Sequence, residues 1–250
     1  MSETVAFVPT MGALHAGHLE LIKHARTLSD EVVVSIFVNP LQFENPDDLA
    51  KYPRDIEGDT EKALSAGATR VWAPSYDEVY PSEILKISAG ELGQRFEGRE
   101  RVGHFDGVLT VVNRLFELVK PNFAIFGEKD FQQLFIIKNW IKENQIPVKI
   151  IAHPTVRDSD GLALSSRNQR LSALGRKSAL VIHRALVAAS KEEMLQILAS
   201  EPGFKLDYAE IIDEETFEIA SSASTYKRGI IAGWVNGVRL IDNSPMGLAR

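Results

Sequence analysis

The sequence predicts an α/β protein with a doubly wound parallel sheet, followed by a smaller α+β domain. Two patterns support this prediction. Through about residue 157, short apolar runs alternate with longer segments of helical periodicity, as expected for strands covered by helices on both faces. Beyond that point a polar loop leads into helices and strands that include a hairpin. We therefore predict domains at residues 1–157 and 158–250.

The first predicted domain contains strands and helices in alternation. The strands are Val5–Val8, Val32–Val38, Arg70–Ala73, Phe123–Phe126 and Val148–His153. The helices are Gly17–Ser29, Arg54–Ala66, Gly107–Val119 and Asp130–Glu143. Because ligands of such sheets bind beyond the carboxyl ends of the strands, the polar residues that follow each strand are candidates for a binding site.

The second predicted domain contains two helices and then three strands. In chain order they cover 173–189, Lys191–Ala199, Leu206–Asp213, Arg228–Trp234 and Val238–Ile241. Ser172 is a typical N-cap for the first of these helices. Asn236-Gly237, between the last two strands, strongly predicts a two-residue hairpin turn.

The composition excludes several classes of protein. The 250 residues are 44% hydrophobic and 25% charged, which is ordinary for a soluble globular protein. No apolar run approaches the roughly 18 residues of a membrane span, and the N-terminus lacks a signal-peptide pattern. The absence of cysteine excludes disulfides, thiolate zinc sites and cysteine nucleophiles. With a net charge of -6 there is no global basic surface for nucleic acid, and we expect a cytoplasmic protein that acts on small molecules.

The most informative motif is the segment from Met11 to His18, which follows the first strand and opens the first helix. Such a strand–turn–helix junction is expected to leave backbone N–H groups free to bind an anion. His15 and His18 are three residues apart, so both rings are expected on one face of the first helical turn. This His-x-Gly-His pattern is typical of enzymes that act on the α-phosphate of a nucleotide. A purely structural helix start and a metal site, which needs further ligands, are the alternatives.

The turn Gly127–Asp130, after the fourth strand, is a second candidate for phosphate binding. Lys129 can reach a phosphate as a point charge, and Asp130 can accept a hydrogen bond from a ribose hydroxyl. The alternative is an exposed charged turn in which Asp130 only caps the next helix. Gln132 or Gln133, on the first turn of that helix, is expected to face the same cleft.

Three further groups complete the candidate site. The loop Leu164–Asn168 contains two hydroxyls and an arginine, which suits a phosphate clamp on a mobile lid, or a plain linker. The amides of Asn39 and Gln42 suit a substrate hydroxyl or carboxylate, or the backbone of their own loop. Asp59 belongs to an acidic helical face and is the candidate magnesium ligand. The sequence contains no P-loop and no Gly-x-Ser-x-Gly motif.

Several segments together resemble the pantoate–β-alanine ligase (pantothenate synthetase) family: PTMGALHAGH, SIFVNPLQF, YPR, GHFDGVLTVV, FGEKDFQQL, DGLALSSRN and RLIDN. The resemblance covers Val5 to Asn243. It implies an ATP-dependent ligase of the HxGH nucleotidyltransferase superfamily, with a Rossmann-type N-terminal domain, a C-terminal lid, magnesium and a homodimer. Val102 departs from the family, which commonly has proline at that position.

The resemblance also implies roles for individual residues. The positions that match ATP contacts are Met11, Gly12, Ala13, Leu14, His15, Ala16, Gly17, His18, Gly127, Glu128, Lys129, Asp130, Val156, Leu164, Ser165, Ser166 and Arg167. The positions that match pantoate or β-alanine contacts are Asn39, Gln42, Tyr52, Arg101 and Gln133. The residues expected to act in catalysis are His15, His18, Lys129 and Arg167, with His18 as a proton donor.

The implied reaction condenses (R)-pantoate with β-alanine to pantothenate, releasing AMP and pyrophosphate through a pantoyl adenylate. Two alternatives remain open: a nucleotidyltransferase that leaves the nucleotide on its product, and a non-catalytic nucleotide sensor. The amides of Asn39 and Gln42 favour the ligase over the first, because arginines suit a phosphate ester better. The number of polar strand ends argues against the second.

Overall fold

The computed structural model describes residues 4–44 and 46–246. The strands are β1 (Val5–Thr10), β2 (Glu31–Ile36), β3 (Arg70–Trp72), β4 (Phe123–Gly127), β5 (Lys149–His153), β6 (Lys205–Asp213), β7 (Lys227–Val235) and β8 (Val238–Met246). The helices are α1 (Ala16–Leu28), α2 (Pro46–Ala50), α3 (Ile56–Ser65), α4 (Tyr76–Val79), α5 (Glu97–Glu100), α6 (His104–Val119), α7 (Phe131–Glu143), α8 (Ala173–Leu186) and α9 (Lys191–Ala199). Short 3₁₀ turns occur at Pro40–Gln42, Glu91–Gln94, Glu128–Asp130 and Ser166–Arg170.

Five parallel strands form the first sheet in the order β3-β2-β1-β4-β5, which confirms the predicted α/β fold. Neighbouring side chains of β1 face helices on opposite sides. Ala6 joins a buried cluster with Ile22 of α1, whereas the Phe7 ring meets Phe116 of α6 edge-on, with 6.2 Å between centroids. The strand order reverses beside β1, so the end of β1 lies at the switch point where such sheets bind ligands.

The second sheet is antiparallel, in the order β6-β7-β8, and confirms the smaller α+β part of the fold. β7 and β8 form the predicted hairpin, in which Val235 pairs with Val238. Asn236 and Gly237 both have positive φ, 51° and 74°, as a type I′ turn requires. Helices α8 and α9 bury their apolar side chains against this sheet. β8 is an edge strand, which is why it tolerates Pro245.

The described chain divides into two compact units. Residues 4–127 and 132–154 form the first, and residues 128–131 and 155–246 form the second. The segment 128–131 therefore groups with the second unit although it directly follows β4. The boundary expected after residue 157 stays a prediction.

Helices α2, α4 and α5 lie outside the predicted elements, because helices of four or five residues carry little periodicity. α4 carries a readable signal, the capping box of Ser75 and Glu78. Among the described helices, none combines the length and apolar character that a bilayer crossing requires.

Candidate functional site

The turn between β1 and α1, here called the histidine turn (residues 11–18), is built around a reciprocal cap. His15 is the N-cap of α1, and its Nδ1 accepts a hydrogen bond from the Gly17 N–H at 3.1 Å. The Nδ1 of His18 accepts in turn from the His15 N–H at 3.3 Å. The ring centroids are 4.2 Å apart, so the two rings share one face, as their spacing indicates.

These contacts determine which nitrogen of each neutral ring carries the proton. A ring nitrogen that accepts a hydrogen bond carries no proton, so the proton of each neutral imidazole lies on Nε2. Each ring is then a hydrogen-bond donor through Nε2. In this form an imidazole can donate to a phosphate oxygen.

A carboxylate from α3 fixes the small-residue part of the histidine turn. Asp59 is fully buried, and its two oxygens accept from the N–H groups of Ala13 at 2.6 Å and Leu14 at 2.8 Å. Lys62 lies 3.3 Å from one of these oxygens and balances the charge. Gly12 has a φ of 86°, and a Cβ there would meet an Asp59 oxygen at 3.0 Å. The turn conformation therefore depends on glycine at position 12 and on the Asp59 carboxylate.

This arrangement differs from the expected set of free backbone N–H groups. Partners within the chain accept hydrogen bonds from the N–H groups of Gly12, Ala13, Leu14, His15, Gly17 and His18. The expectation is wrong at these positions because carboxylate, imidazole, hydroxyl and carbonyl acceptors from the chain itself satisfy the donors. The imidazoles, rather than these backbone groups, are the donors that the turn can direct at a phosphate.

The predicted pantoate amides belong to a buried polar network that follows β2. Asn39 is fully buried and donates from Nδ2 to Gln42 Oε1 at 3.2 Å and to the Gly107 carbonyl at 3.0 Å. Gln42 donates from Nε2 to the sulfur of Met11 at 3.0 Å, so a predicted pantoate residue touches a predicted ATP residue. The Tyr80 hydroxyl donates to Asn39 Oδ1 at 3.1 Å. Burial raises the pKa of Tyr80 well above its ordinary value, which keeps this donor protonated.

The two glutamines at the start of α7 have different environments. Gln132 is buried, and its Oε1 accepts from the Glu97 N–H at 3.0 Å. Its Nε2 donates to the carbonyls of Leu92 and Arg95, each at 2.8 Å. Gln132 thus holds the segment 92–97 in place. Gln133 is half-buried and remains the candidate for substrate binding.

Tyr52 and Arg101 lie on separate segments of the first unit. Tyr52 packs edge-on against Phe43, with 5.7 Å between ring centroids. Arg101 is half-buried at the C-terminal end of α5, and Val102 beside it is exposed. Their roles toward substrate stay predictions.

One groove of the second unit is lined by three of the predicted phosphate-binding residues, Lys129, Ser165 and Arg167. Its polar lining consists of Lys129, Ser165, Arg167, Asn168, Arg239 and Asp242. Two of these charges have close partners: Arg239 lies 2.7 Å from Asp207, and Asp242 lies 2.6 Å from Arg157. The Lys129 Nζ is 4.0 Å from Asp130. The groove therefore carries a net positive lining suited to an anion.

The loop that contains Ser165 and Arg167 is a defined turn. The Ser165 hydroxyl accepts from the Arg167 N–H at 3.3 Å, and Asn168 Nδ2 donates to the Ala163 carbonyl at 2.9 Å. The Leu164 N–H donates to the Val156 carbonyl at 2.9 Å. Val156 and this loop, which are separate in sequence, are thus joined by backbone pairing.

The structure gives Asp59 a structural task, and its predicted magnesium role stays a prediction. Within residues 4–44 and 46–246, no three His, Asp or Glu side chains are grouped so that they could hold a metal ion. Both Asp59 oxygens already accept backbone N–H groups. This donor set fits a backbone clamp better than a direct Mg²⁺ ligand, which needs available oxygens.

Comparisons with known proteins agree with the sequence motifs. A family model described as pantoate-beta-alanine ligase matches residues 1–245. The chain is 46% identical over 258 residues to a pantothenate synthetase of Acidothermus cellulolyticus, covering 97% of this chain and 85% of the relative. It is 45% identical over 257 residues to a pantothenate synthetase of Aquifex aeolicus, covering 96% of this chain and 90% of the relative.

Solved structures give the same result. Pantothenate synthetase from Thermus thermophilus matches with a TM-score of 0.90 at 44% identity, covering 97% of this chain and 93% of that one. Pantoate-beta-alanine ligase from Francisella tularensis, complexed with beta-gamma ATP and β-alanine, matches with a TM-score of 0.83 at 39% identity. That match covers 97% of this chain and 89% of the other.

Proposed function

The chain belongs to the pantoate–β-alanine ligase family, and from this premise we propose that it joins (R)-pantoate to β-alanine through a pantoyl adenylate. It is an ATP-dependent ligase of this family. The relatives named above are ligases of this kind, which favours this reaction over nucleotidyl transfer to a phosphate ester and over a sensor without catalysis.

Two displacement steps account for the proposed reaction. First, a carboxylate oxygen of pantoate attacks the α-phosphorus of ATP, and pyrophosphate leaves with the electron pair of the broken P–O bond. Second, the amine of β-alanine attacks the acyl carbon and loses a proton, while AMP leaves with the former carboxylate oxygen. The protein must align the carboxylate and stabilise the charge that develops on pyrophosphate.

The reciprocal cap of His15 and His18 is the observation that carries the proposal. Because each Nδ1 accepts a backbone N–H, each neutral ring has its proton on Nε2. We assign these protons to phosphate oxygens around the α-phosphorus, with His18 as the proton donor. The cap holds both rings in place, so little reorganisation is needed when charge develops.

Lys129 and Arg167 are assigned to the β- and γ-phosphates, which become the leaving pyrophosphate. Both line the groove of the second unit, whose other arginine, Arg239, is paired with Asp207. The hydroxyls of Ser165 and Ser166 are assigned to the same phosphates. The remaining proposed ATP contacts are residues 11–14, Ala16, Gly17, Gly127, Glu128, Asp130, Val156 and Leu164.

Gln42 and Gln133 are assigned to pantoate. Asn39 donates to Gln42 Oε1 and so supports its orientation. Gln133 is chosen over Gln132 because the amide of Gln132 is engaged by backbone groups. Tyr52 and Arg101 are proposed as further substrate contacts.

ATP would bring Mg²⁺ bound to its phosphate oxygens. Mg²⁺ commonly keeps several waters and binds through substrate phosphates with few protein ligands, which is consistent with the engaged oxygens of Asp59. A homodimer and a cytoplasmic location are further proposals, supported by family membership.

Isotope exchange tests the adenylate mechanism. With ATP, magnesium and pantoate, but without β-alanine, the enzyme should exchange labelled pyrophosphate into ATP. Label from ¹⁸O-pantoate carboxylate should appear in AMP after complete turnover. Label in pyrophosphate or phosphate, with none in AMP, contradicts the adenylate.

His18 variants separate chemistry from capping. His18→Gln keeps an acceptor at the third helical position, as in ordinary capping boxes, whereas His18→Ala removes it. Both variants should lower exchange by about 10²- to 10³-fold, because both remove the imidazole donor. His18→Gln should also keep wild-type thermal stability. If the His18→Gln variant exchanges pyrophosphate at a rate within about threefold of wild type, His18 has no role in the adenylation step.

A further inference from the structure

The turn that carries Lys129, here called the lysine turn (Glu128–Asp130), is a single 3₁₀ turn. Such turns satisfy few of their own carbonyls, so they need external donors. Asn243 on β8 provides them, because its Nδ2 donates to the carbonyls of Glu128 and Lys129, each at 2.9 Å. One carboxamide therefore fixes two successive peptide groups of the lysine turn.

Asn243 is itself held in one orientation. It is buried, and its Oδ1 accepts from Arg228 Nη1 at 2.6 Å. This acceptor contact fixes which end of the amide carries the hydrogens that face the turn. The Asn243 N–H donates to Asp242 Oδ1 at 2.8 Å, and Asp242 is paired with Arg157 through two hydrogen bonds of 2.6 and 3.0 Å.

Besides orienting Asn243, Arg228 contacts the segment 128–131 directly at two residues, Glu128 and Phe131. It is 3% exposed, and its Nη2 lies 3.3 Å from Glu128 Oε2. Its guanidinium carbon lies 3.9 Å from the centroid of the Phe131 ring. Glu214, 2.9 Å from its Nε, supplies a second negative charge. The residues before and after Lys129 are thus anchored to β7 and β8.

We propose that Asn243, oriented by Arg228, is a positioning residue that directs the side chain of Lys129. This inference rests on the proposed function, in which Lys129 binds the phosphates that leave as pyrophosphate. Asn243 acts through the backbone of the lysine turn and touches no reacting atom. Its contribution should therefore depend on the presence of the Lys129 ammonium.

A double-mutant cycle tests this dependence. Asn243→Asp keeps the shape and the acceptor for Arg228, but it faces two carbonyls with an oxygen in place of an N–H₂ group. It should lower kcat by about 10- to 100-fold, since a small misplacement of a catalytic group has effects of this size. The pantoate and β-alanine KM values should change little. In a Lys129→Ala background, the same substitution should lower kcat by less than about twofold.

Two further variants keep the test independent of folding. Asn243→Ser retains one donor in a smaller side chain and should fall between wild type and Asn243→Asp in kcat. Asn236→Asp makes the same chemical change in the β7–β8 turn, away from the lysine turn, and should leave kcat unchanged. Thermal melts of all variants identify any loss of folded protein.

The outcomes separate this inference from the proposed function. An equal loss from Asn243→Asp in both backgrounds, or unchanged kcat in both Asn243 variants, overturns the positioning role. Wild-type turnover in Lys129→Ala alone overturns the phosphate role assigned to Lys129 and the inference with it.

Discussion

The histidine turn and the lysine turn each follow a strand of the parallel sheet, but opposite chemistry holds them. In the histidine turn the backbone donates: the N–H groups of Ala13 and Leu14 donate hydrogen bonds to the Asp59 carboxylate. In the lysine turn the backbone accepts, and the carbonyls of Glu128 and Lys129 receive the Asn243 amide hydrogens.

The difference shows how a side chain suits the turn that it fixes. A carboxylate only accepts, so it matches a turn with outward N–H groups, whereas the N–H₂ end of a carboxamide only donates and matches outward carbonyls. Exchanging Asp and Asn at these two positions reverses the donor pattern while keeping the shape. Among substitutions at the side chains that support the two turns, we expect the largest effects from such exchanges.

The strongest test of the histidine turn is Asp59→Asn. The amide can satisfy only one of the two N–H groups, and it loses the charge that pairs with Lys62. We expect about 2–3 kcal/mol lower free energy of unfolding, measured in urea, and a fall in kcat of about tenfold or more. Asp55→Asn is the control on the same helix, because Asn caps a helix as well as Asp does.

Magnesium titration of Asp59→Asn decides between its two possible tasks. If Asp59 is a backbone clamp, the magnesium concentration for half-maximal rate at fixed ATP should match wild type. A large rise in that concentration, with unchanged stability, would identify Asp59 as a metal ligand instead.

The neighbouring glutamines of α7 provide a second comparison, between a side chain that supports the backbone and one assigned to substrate. Gln132→Ala leaves the Glu97 N–H and two carbonyls without their partner, and should cost about 1–3 kcal/mol of unfolding free energy. Gln133→Ala should leave stability unchanged and raise the KM for pantoate far more than that for ATP. Equal increases in both KM values contradict the assignment of Gln133 to pantoate.

The smallest expected effect is that of Tyr80→Phe, which removes one donor to Asn39. We expect about 1 kcal/mol lower unfolding free energy at neutral pH. Because burial raises the pKa of Tyr80 above its ordinary value of 10.0, the folded state keeps this proton longer than the unfolded state. The stability contributed by the neutral tyrosine is therefore complete below that pH and declines above it. Chemical denaturation across this range should show a weaker alkaline decline in the Phe variant than in wild type.

Local signals explain which features could be predicted from sequence. The strand–helix alternation, the spacing of His15 and His18, and the Asn236-Gly237 turn depend on neighbours within a few residues, and the fold followed from them. The reciprocal histidine cap is equally local, although its consequence for the backbone N–H groups was missed. Where a helix start contains several hydrogen-bond acceptors, some of its backbone N–H groups should be expected to bind those acceptors and not a ligand.

The contacts that fix the two turns could not be predicted, because they join positions that are distant in sequence. Asp59 is 46 positions from Ala13, and Asn243 is 114 positions from Lys129. Neither residue is unusual in its own segment: Asp59 looks like part of a solvated acidic face, and Asn243 lies just beyond the last predicted strand, Val238–Ile241. Gln132 and Gln133 likewise differ only through the tertiary contacts of the first.

The place of β8 in the chain has a consequence for biosynthesis. The ribosome adds residues from the N-terminus, so every strand of the parallel sheet emerges before Asn243 does. A nascent chain can therefore complete that sheet and the histidine turn while the lysine turn still lacks its two amide donors. During translation, the hydrogen bonds from Asn243 to the lysine turn can therefore form only once the β7–β8 hairpin has been made.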